Sequence, residues 1–405
     1  MSERISTQGF YTGAVNSMLE QQSALAKLQN QVSLGKRVST PADDPIAAVH
    51  ILELERAQSE SDQYGKNITL VKSRLSQEEG ALADSGTALQ RVRELIVQGS
   101  STATLSDSDR QSIVTELTSL AQQLTGIANR KDGNGEYLFA GLSTQTQPFT
   151  SDAAGIAHIA GDQGTRLVQI DSTQRIADGD SGYDVFQKIP GGNGTFSTAA
   201  ATGNTGSGVI STGSVVSKAS WIPDNYTVSF TSATAWQVTD SASPTPNVVA
   251  AGTYTAGAAI GFRGVQVEIS GTPAAGDTFA VNKGTSTDIF QTVNNAIAAL
   301  QRPTGSAAAN AKLSTALGGA LQQIDQANDH LLGIRAGVGS RLTALDNSDN
   351  ARQDLGVDLQ SSLSNLRDLD YASAVAKLSQ QTTGLQAAQL SYSKISQLSL
   401  FNYLR

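Results

Sequence analysis

Two seams, one at each end of the chain, limit the fold more than any other feature. Tyr11, Ala14, Met18, Gln21, Leu25, Leu28 and Val32 recur at alternating steps of three and four. Tyr371, Ala374, Leu378, Gln381, Leu385, Ala388, Tyr392 and Ile395 do the same, in nearly the same order of side chains. Alternating three–four spacing draws one narrow apolar stripe along a helix, as in a coiled coil. The rest of each surface is mostly Ser, Gln, Asn and Ala. A short helix with so little apolar surface is marginal in water, so each seam needs a partner. The match between them predicts equivalent packing environments. In a lone chain the ends, 1–40 and 370–405, are expected to be mobile, with Leu25 and Leu385 open to solvent until assembly.

Longer helices lie between the seams. Asp44 reads as an N-cap and Pro45 as the first residue of a helix reaching to about Gln98. Along it Ile68, Leu75, Leu82, Leu89 and Ile96 recur every seven residues. Ser106 caps a third helix with Asp107 and Asp109 in its first turn. A short helix around Phe290, Val293 and Ile297 stops before Pro303, and a long run follows from about Ala307 to Leu369. From 150 to 285 the composition turns to Gly, Ser, Thr, Ala and Val, and 196–285 holds seven charged residues. Strands are expected at Leu167–Ile170, Tyr226–Phe230, Trp236–Thr239, Val265–Ile269 and Phe279–Val281, with Tyr137–Gly141 as a further one. The outline is a mainly α protein: an antiparallel long-helix rod with N- and C-terminal coiled-coil helices and a β-rich domain inserted in it. The terminal assembly helices are 1–40 and 370–405, the rod core 41–149 and 286–369, and the insert 150–285.

Composition removes several function classes. The chain has 405 residues and no Cys, so disulfides and thiolate metal sites are out. No apolar run is long enough for a membrane helix, and Met1–Gln8 lacks the basic and apolar parts of a signal peptide. Net charge is −8; residues 1–40 carry +2 and 356–405 carry +1, leaving −11 for the remainder. Near-neutral ends around an acidic middle argue against nucleic acid and membrane partners. They let the ends be buried in an assembly without strong self-repulsion. His50, His158 and His330 are scattered and read as packing residues. Asp43 and Asp44, neighbours in an extended link, point apart and suit capping better than acid–base work. Asp132-Gly133-Asn134-Gly135-Glu136 lacks the ligand spacing of a calcium loop and reads as a turn. No catalytic residue, cofactor or metal is expected.

The link between the first two helices carries Ser33, Gly35, Arg37, Pro41, Asp43, Asp44, Pro45, Ala47 and Ala48 at fixed spacing. Pro41 and Pro45 hold the residues before them extended. This string resembles the N-terminal link of the bacterial flagellin family, in the form carried by its hook–filament junction members. Asn134–Gly141 followed by Pro148-Phe149, the run Arg335–Leu342, and the final Leu398–Arg405 resemble further motifs of that family. Gly276-Asp277-Thr278-Phe279 resembles a strand of outer modules in hook-associated proteins. The resemblance implies an extracellular structural subunit of the flagellum, exported through the flagellar channel without a cleaved signal. It implies flagellin, a hook-side junction protein, copies of the same chain in a helical ring and a cytoplasmic export chaperone as partners. Gly35, Arg37, Pro41, Asp43, Asp44 and Pro45 are then the link. Tyr11, Ala14, Met18, Leu25, Leu28, Val32, Leu378, Leu385, Ala388, Tyr392 and Ile395 are the assembly seam. Two other readings stand beside it: a filament flagellin, and a secreted adhesin whose β domain binds glycans.

Overall fold

The computed structural model describes residues 7–101, 105–152, 157–242 and 244–397. The motif Leu398–Arg405 and the segment Met1–Ser6 lie outside the described residues. The helices are α1 (Thr7–Leu34), α2 (Pro45–Gly99), α3 (Asp107–Ala128), α4 (Ile289–Leu300), α5 (Ala307–Arg367) and α6 (Tyr371–Gln397). The chain divides into two compact units, Met1–Lys66 with Ser348–Arg405, and Asn67–Asn347, so α2 and α5 contribute to both.

In the second unit the expected heptads of α2 are core. Ile68, Leu75, Leu82, Leu89 and Ile96 are all buried, together with Val71, Val92 and Leu95. Burying each Leu contributes roughly 1.5–3 kcal/mol. They pack with Ile113, Leu117 and Leu124 of α3, Phe290 and Val293 of α4, and Leu317, Ile324, Leu331 and Val338 of α5. α2 and α5 run antiparallel here, as shown by Lys72–Asp346, Glu79–Arg335 and Arg93–Asp325 ion pairs. Ser106 caps α3 in a reciprocal box: its Oγ accepts from Asp109 N at 3.2 Å, and its N–H donates to the Asp109 carboxylate at 3.0 Å. Asp288 caps α4 by accepting from Phe290 N and Gln291 N.

After α3 come two small antiparallel pairs, β1 (Phe149–Ser151) with β2 (Ala157–Ile159) and β3 (Leu167–Gln169) with β4 (Arg175–Ala177). A π-helical turn follows at Tyr183–Gln187. Phe149, Ile170, Ile176, Val185 and Phe186 from this stretch join the helical core. The rings of Phe139, Phe149 and Phe290 each lie 5.1–5.8 Å from Phe186.

A second, separate core begins beyond β5 (Ile189–Pro190). It is built from β6 (Phe196–Ala200), β7 (Val209–Ile210), β8 (Ser214–Val215), β9 (Tyr226–Ser232), β10 (Ala235–Thr239), β11 (Val248–Thr253), β12 (Ala259–Phe262), β13 (Val265–Ser270) and β14 (Thr278–Lys283). One sheet has the order β11-β10-β9-β14-β6; the other has β12-β13-β7, with β8 also on β13. All these pairs are antiparallel. Alternation decides which face is inside: Val265, Val267 and Ile269 are buried while Glu268 and Ser270 are exposed. They meet Phe196, Tyr226, Val228, Phe230, Phe279 and Val281 in one apolar core. β15 (Ser286–Thr287) pairs with β5, so the chain leaves and re-enters the helical part through a two-stranded neck. Helical segments therefore flank a β-rich insertion.

Tyr137–Gly141 is a turn rather than the expected strand. Leu138, Phe139 and Ala140 are all buried in succession, which a half-buried strand does not allow. Of the histidines, His330 packs with Nε2 2.6 Å from the Asp184 carbonyl. His50 and His158 instead sit at the surface beside Glu53 and Asp152.

Candidate assembly interface

In the first unit the link and the seams form one arrangement. The link closes onto the connection between α5 and α6. Arg37 N donates to Arg367 O at 2.7 Å, Leu369 N donates to Gly35 O at 3.0 Å, and Lys36 faces Asp368 in an antiparallel bridge. The Arg37 guanidinium donates to Leu366 O at 2.6 Å, satisfying a carbonyl at the end of α5, and pairs with Asp44 at 3.4 Å. Gly35 has φ +68°, and a Cβ there would lie 2.7 Å from the Tyr371 hydroxyl, so any other residue is strained and must push that ring aside. Beneath the clasp Val38, Ala47, Ile51 and Leu363 form a small apolar core.

The two aspartates of the link do different work. Asp43 Oδ1 pairs with Lys27 at 2.8 Å, and its Oδ2 accepts from the N–H and hydroxyl groups of Ser39 and Thr40. The Lys27 contact, then the bonds from Thr40 and Ser39, hold its carboxyl well below the usual carboxylate range. Asp44 Oδ1 accepts from Ala47 N at 3.0 Å, the N-cap bond of α2, and this bond lowers its pKa. Pro41 and Pro45 are exposed on either side of them.

The seams close on each other. α1 and α6 lie antiparallel, with the Tyr11 and Tyr392 rings 5.8 Å apart edge to face, and the Tyr11 hydroxyl 3.5 Å from Ile395 O. Tyr11, Ala14, Met18, Leu25, Leu28 and Val32 are half-buried, as are Leu378, Leu385, Ala388 and Tyr392. Ala374 is fully buried, and Ile395 remains 40% exposed at the rim. Ala14, Met18, Ala388, Tyr392 and Ile395 line a shallow cavity of about 200 Å³. The expectation that Leu25 and Leu385 stand open in a single chain is corrected: one seam covers the other. Other apolar residues of the two helices stay uncovered: Leu19 is 58% and Leu390 60% exposed, and Val15 and Val375 are exposed too. The Val15–Leu19 spacing was their signal in the sequence.

The second unit holds a buried charge network that sequence reading missed. Arg74 of α2 donates to Asp132 at 2.9 Å and to the carbonyls of Tyr137 and Leu138 at 2.9 and 3.3 Å, clamping the 131–141 turn to the helix. Arg166 pairs with Asp178, and Arg341 with Asp180. Glu78 is 1% exposed, and its Oε1 accepts from Asp180 N at 3.1 Å. Burial, reinforced by the Asp180 charge, pushes its carboxyl up to about 8. Among the described residues no group of His, Asp or Glu is placed to hold a metal ion, and no helix is long and apolar enough to cross a membrane.

Antiparallel terminal helices zipped at a link, with a β insertion between long helices, define a chain of the flagellin type. Residues 5–144 match the family model of the bacterial flagellin N-terminal helical region, and 321–404 that of the C-terminal helical region. Residues 199–283 match the D2-like domain of flagellar hook-associated protein 1. The chain is 27% identical to flagellar hook-associated protein 3 of Salmonella typhimurium over 403 residues, covering 99% of this chain and all of that one. A crystal structure of FlgL from Xanthomonas campestris superposes with a TM-score of 0.72 at 34% identity, covering 77% of this chain and 99% of that one. The flagellin of Bacillus subtilis is 36% identical, but over 31% of this chain and 42% of its own length. The chain belongs to the flagellar hook-associated protein 3 (FlgL) family.

Proposed function

We propose that this chain is a structural subunit of the bacterial flagellum, placed at the junction between hook and filament. The observation that carries the reading is its end-to-end correspondence with hook-associated protein 3, insertion included. A filament flagellin is the weaker reading, because the flagellin of Bacillus subtilis matches about a third of the chain while hook-associated protein 3 matches 99% of it. In this role flagellin lies on one side and the hook-side junction protein on the other, with copies of the chain completing a helical ring. The exposed apolar residues beside the closed seam, Leu19 and Leu390 among them, suit contacts between neighbouring subunits. Residues 1–40 and 370–405 are the assembly helices, and a cytoplasmic export chaperone holds the C-terminal one before assembly. The protein then acts outside the cell, and no catalytic step belongs to it. Electron microscopy of cells lacking the gene tests the reading. Hooks without filaments, with flagellin shed into the medium, are expected; stubs without hooks would overturn it.

A further inference from the structure

Asparagine followed by glycine occurs twice, at Asn134-Gly135 and Asn193-Gly194. Such a pair has an intramolecular reaction open to it. The glycine backbone nitrogen forms a bond to the asparagine Cγ. The Cγ–Nδ2 bond breaks, and the departing nitrogen takes the glycine amide proton to leave as ammonia. Water then opens the five-membered imide. Addition at Cγ yields aspartate, and addition at the main-chain carbonyl yields isoaspartate. Nothing is oxidised or reduced, and the co-reactant is water. A following glycine favours the step because no Cβ shields its nitrogen.

The two pairs sit in opposite surroundings. Asn134 is exposed, and its side chain hydrogen-bonds to no described residue. A Cβ added at Gly133 or Gly135 would meet nothing within 4 Å, so the space around the turn is open. One backbone bond, Gly135 N to Asp132 O at 3.0 Å, must open for attack. Asn193 is tied at both ends of its amide. Nδ2 donates to Thr212 O and Gly213 O at 3.2 and 3.3 Å; Oδ1 accepts from Thr195 N and Phe196 N at 3.1 and 3.0 Å. Its glycine is held too, Gly194 N donating to Gly191 O at 3.1 Å. The backbone restraints are alike in the two pairs, so the four side-chain bonds make the difference.

We propose that Asn134 is a site of spontaneous deamidation and that Asn193 is protected from it by its hydrogen bonds. Four bonds of ordinary net strength separate the two rates by roughly a hundredfold or more. The modified turn is the one that aims Asp132 at Arg74: Asp132 Oδ1 accepts from Asn134 N and Glu136 N at 2.8 and 3.0 Å. Isoaspartate at 134 lengthens the backbone between those two amides.

Trypsin places the two sites in separate peptides, 132–166 and 189–218. The full chain would be incubated folded in warm, mildly alkaline buffer and mapped by mass spectrometry over time. A parallel sample in concentrated urea reports the unrestrained chemistry. In the folded chain, peptide 132–166 should gain the mass of amide-to-acid conversion while 189–218 stays unchanged; in urea both should convert at similar rates. The Asn134→Gln variant should lose the fast conversion of 132–166. The proposal fails if the folded chain converts both peptides alike, or 189–218 first. It also fails if Asn134 stays intact when folded yet converts in urea, or if the signal survives Asn134→Gln.

Discussion

Glu78→Gln is expected to flatten the fall in stability that the protein otherwise shows between acid and mildly alkaline pH. The guanidinium groups of Arg74, Arg166 and Arg341 already face the carboxylates of Asp132, Glu136, Asp178 and Asp180. Glu78 would add a fifth negative charge against three positive ones, away from water. It keeps its proton in the folded state up to about 8, against an ordinary value of 4.5. The unfolded chain gives that proton up near the ordinary value. Between the two, the unfolded state binds fewer protons, so stability falls as pH rises. Integrated over that window the loss is on the order of 4–5 kcal/mol, at 1.36 kcal/mol per pH unit. Glutamine keeps an oxygen to accept from Asp180 N and has no charge to bury.

Carboxyls lowered by folding, such as Asp43, Asp44 and Asp109, do not blur the window. Their stabilisation is complete above their unfolded value and is lost only as pH falls below it. Asp288, pushed up mainly by burial, acts in the same sense as Glu78. Urea unfolding at fixed ionic strength, from about pH 5 to 9, should show wild-type stability declining and then levelling. The variant should pull ahead steadily over the same range. Parallel curves for the two proteins would refute the reasoning, because Glu78 would then be ionised in the folded state with a cation not counted above.

Gly35→Ala forces a side chain into positive φ and against the Tyr371 hydroxyl. It should cost about 1–3 kcal/mol at the clasp and speed hydrogen exchange at Arg37 and Leu369, leaving amides of the β sheets unchanged. Joining residue 190 to 286 by a short Gly/Ser turn should leave the helical core cooperative, because β5 and β15 are already paired there. Excising 150–285 should unfold it, since Ile170, Val185 and Phe186 leave with the insert; circular dichroism melting distinguishes the two. Leu385→Asp, placed in the half-closed seam, should open the α1–α6 pair to limited proteolysis, while Leu390→Asp at an exposed position should not. Equal trimming of both variants would remove the seam from what holds the ends together.

The helices were legible because their periodicity survives in the packing. Each of Ile68, Leu75, Leu82, Leu89 and Ile96 is buried where the heptad put it. The strands were legible where they alternate, as in Val265–Ile269, and invisible where two or three Gly-, Ser- or Thr-flanked residues pair, as in β7 and β8. The seams were legible as stripes, but not as partners of each other. Spacing states that a stripe must be covered, and it does not state by what. The Asp44 cap was legible because capping is a local demand, met here by Ala47 N; the positive φ at Gly35 and the Arg37 and Asp43 contacts depend on the chain end that the link closes onto and on α1. The Arg74–Glu78 network was not legible for the same reason. On α2 those residues read as one more solvated i,i+4 pair, and nothing near them in sequence says otherwise. They are buried because the 131–141 turn and the segment through Asp178 and Asp180 fold over them, which brings four of the facing carboxylates from more than fifty residues away. Local rules therefore located what each residue does for its own helix. Burial of charge, which sets the pH behaviour of the whole unit, depends on which loops come to lie on top.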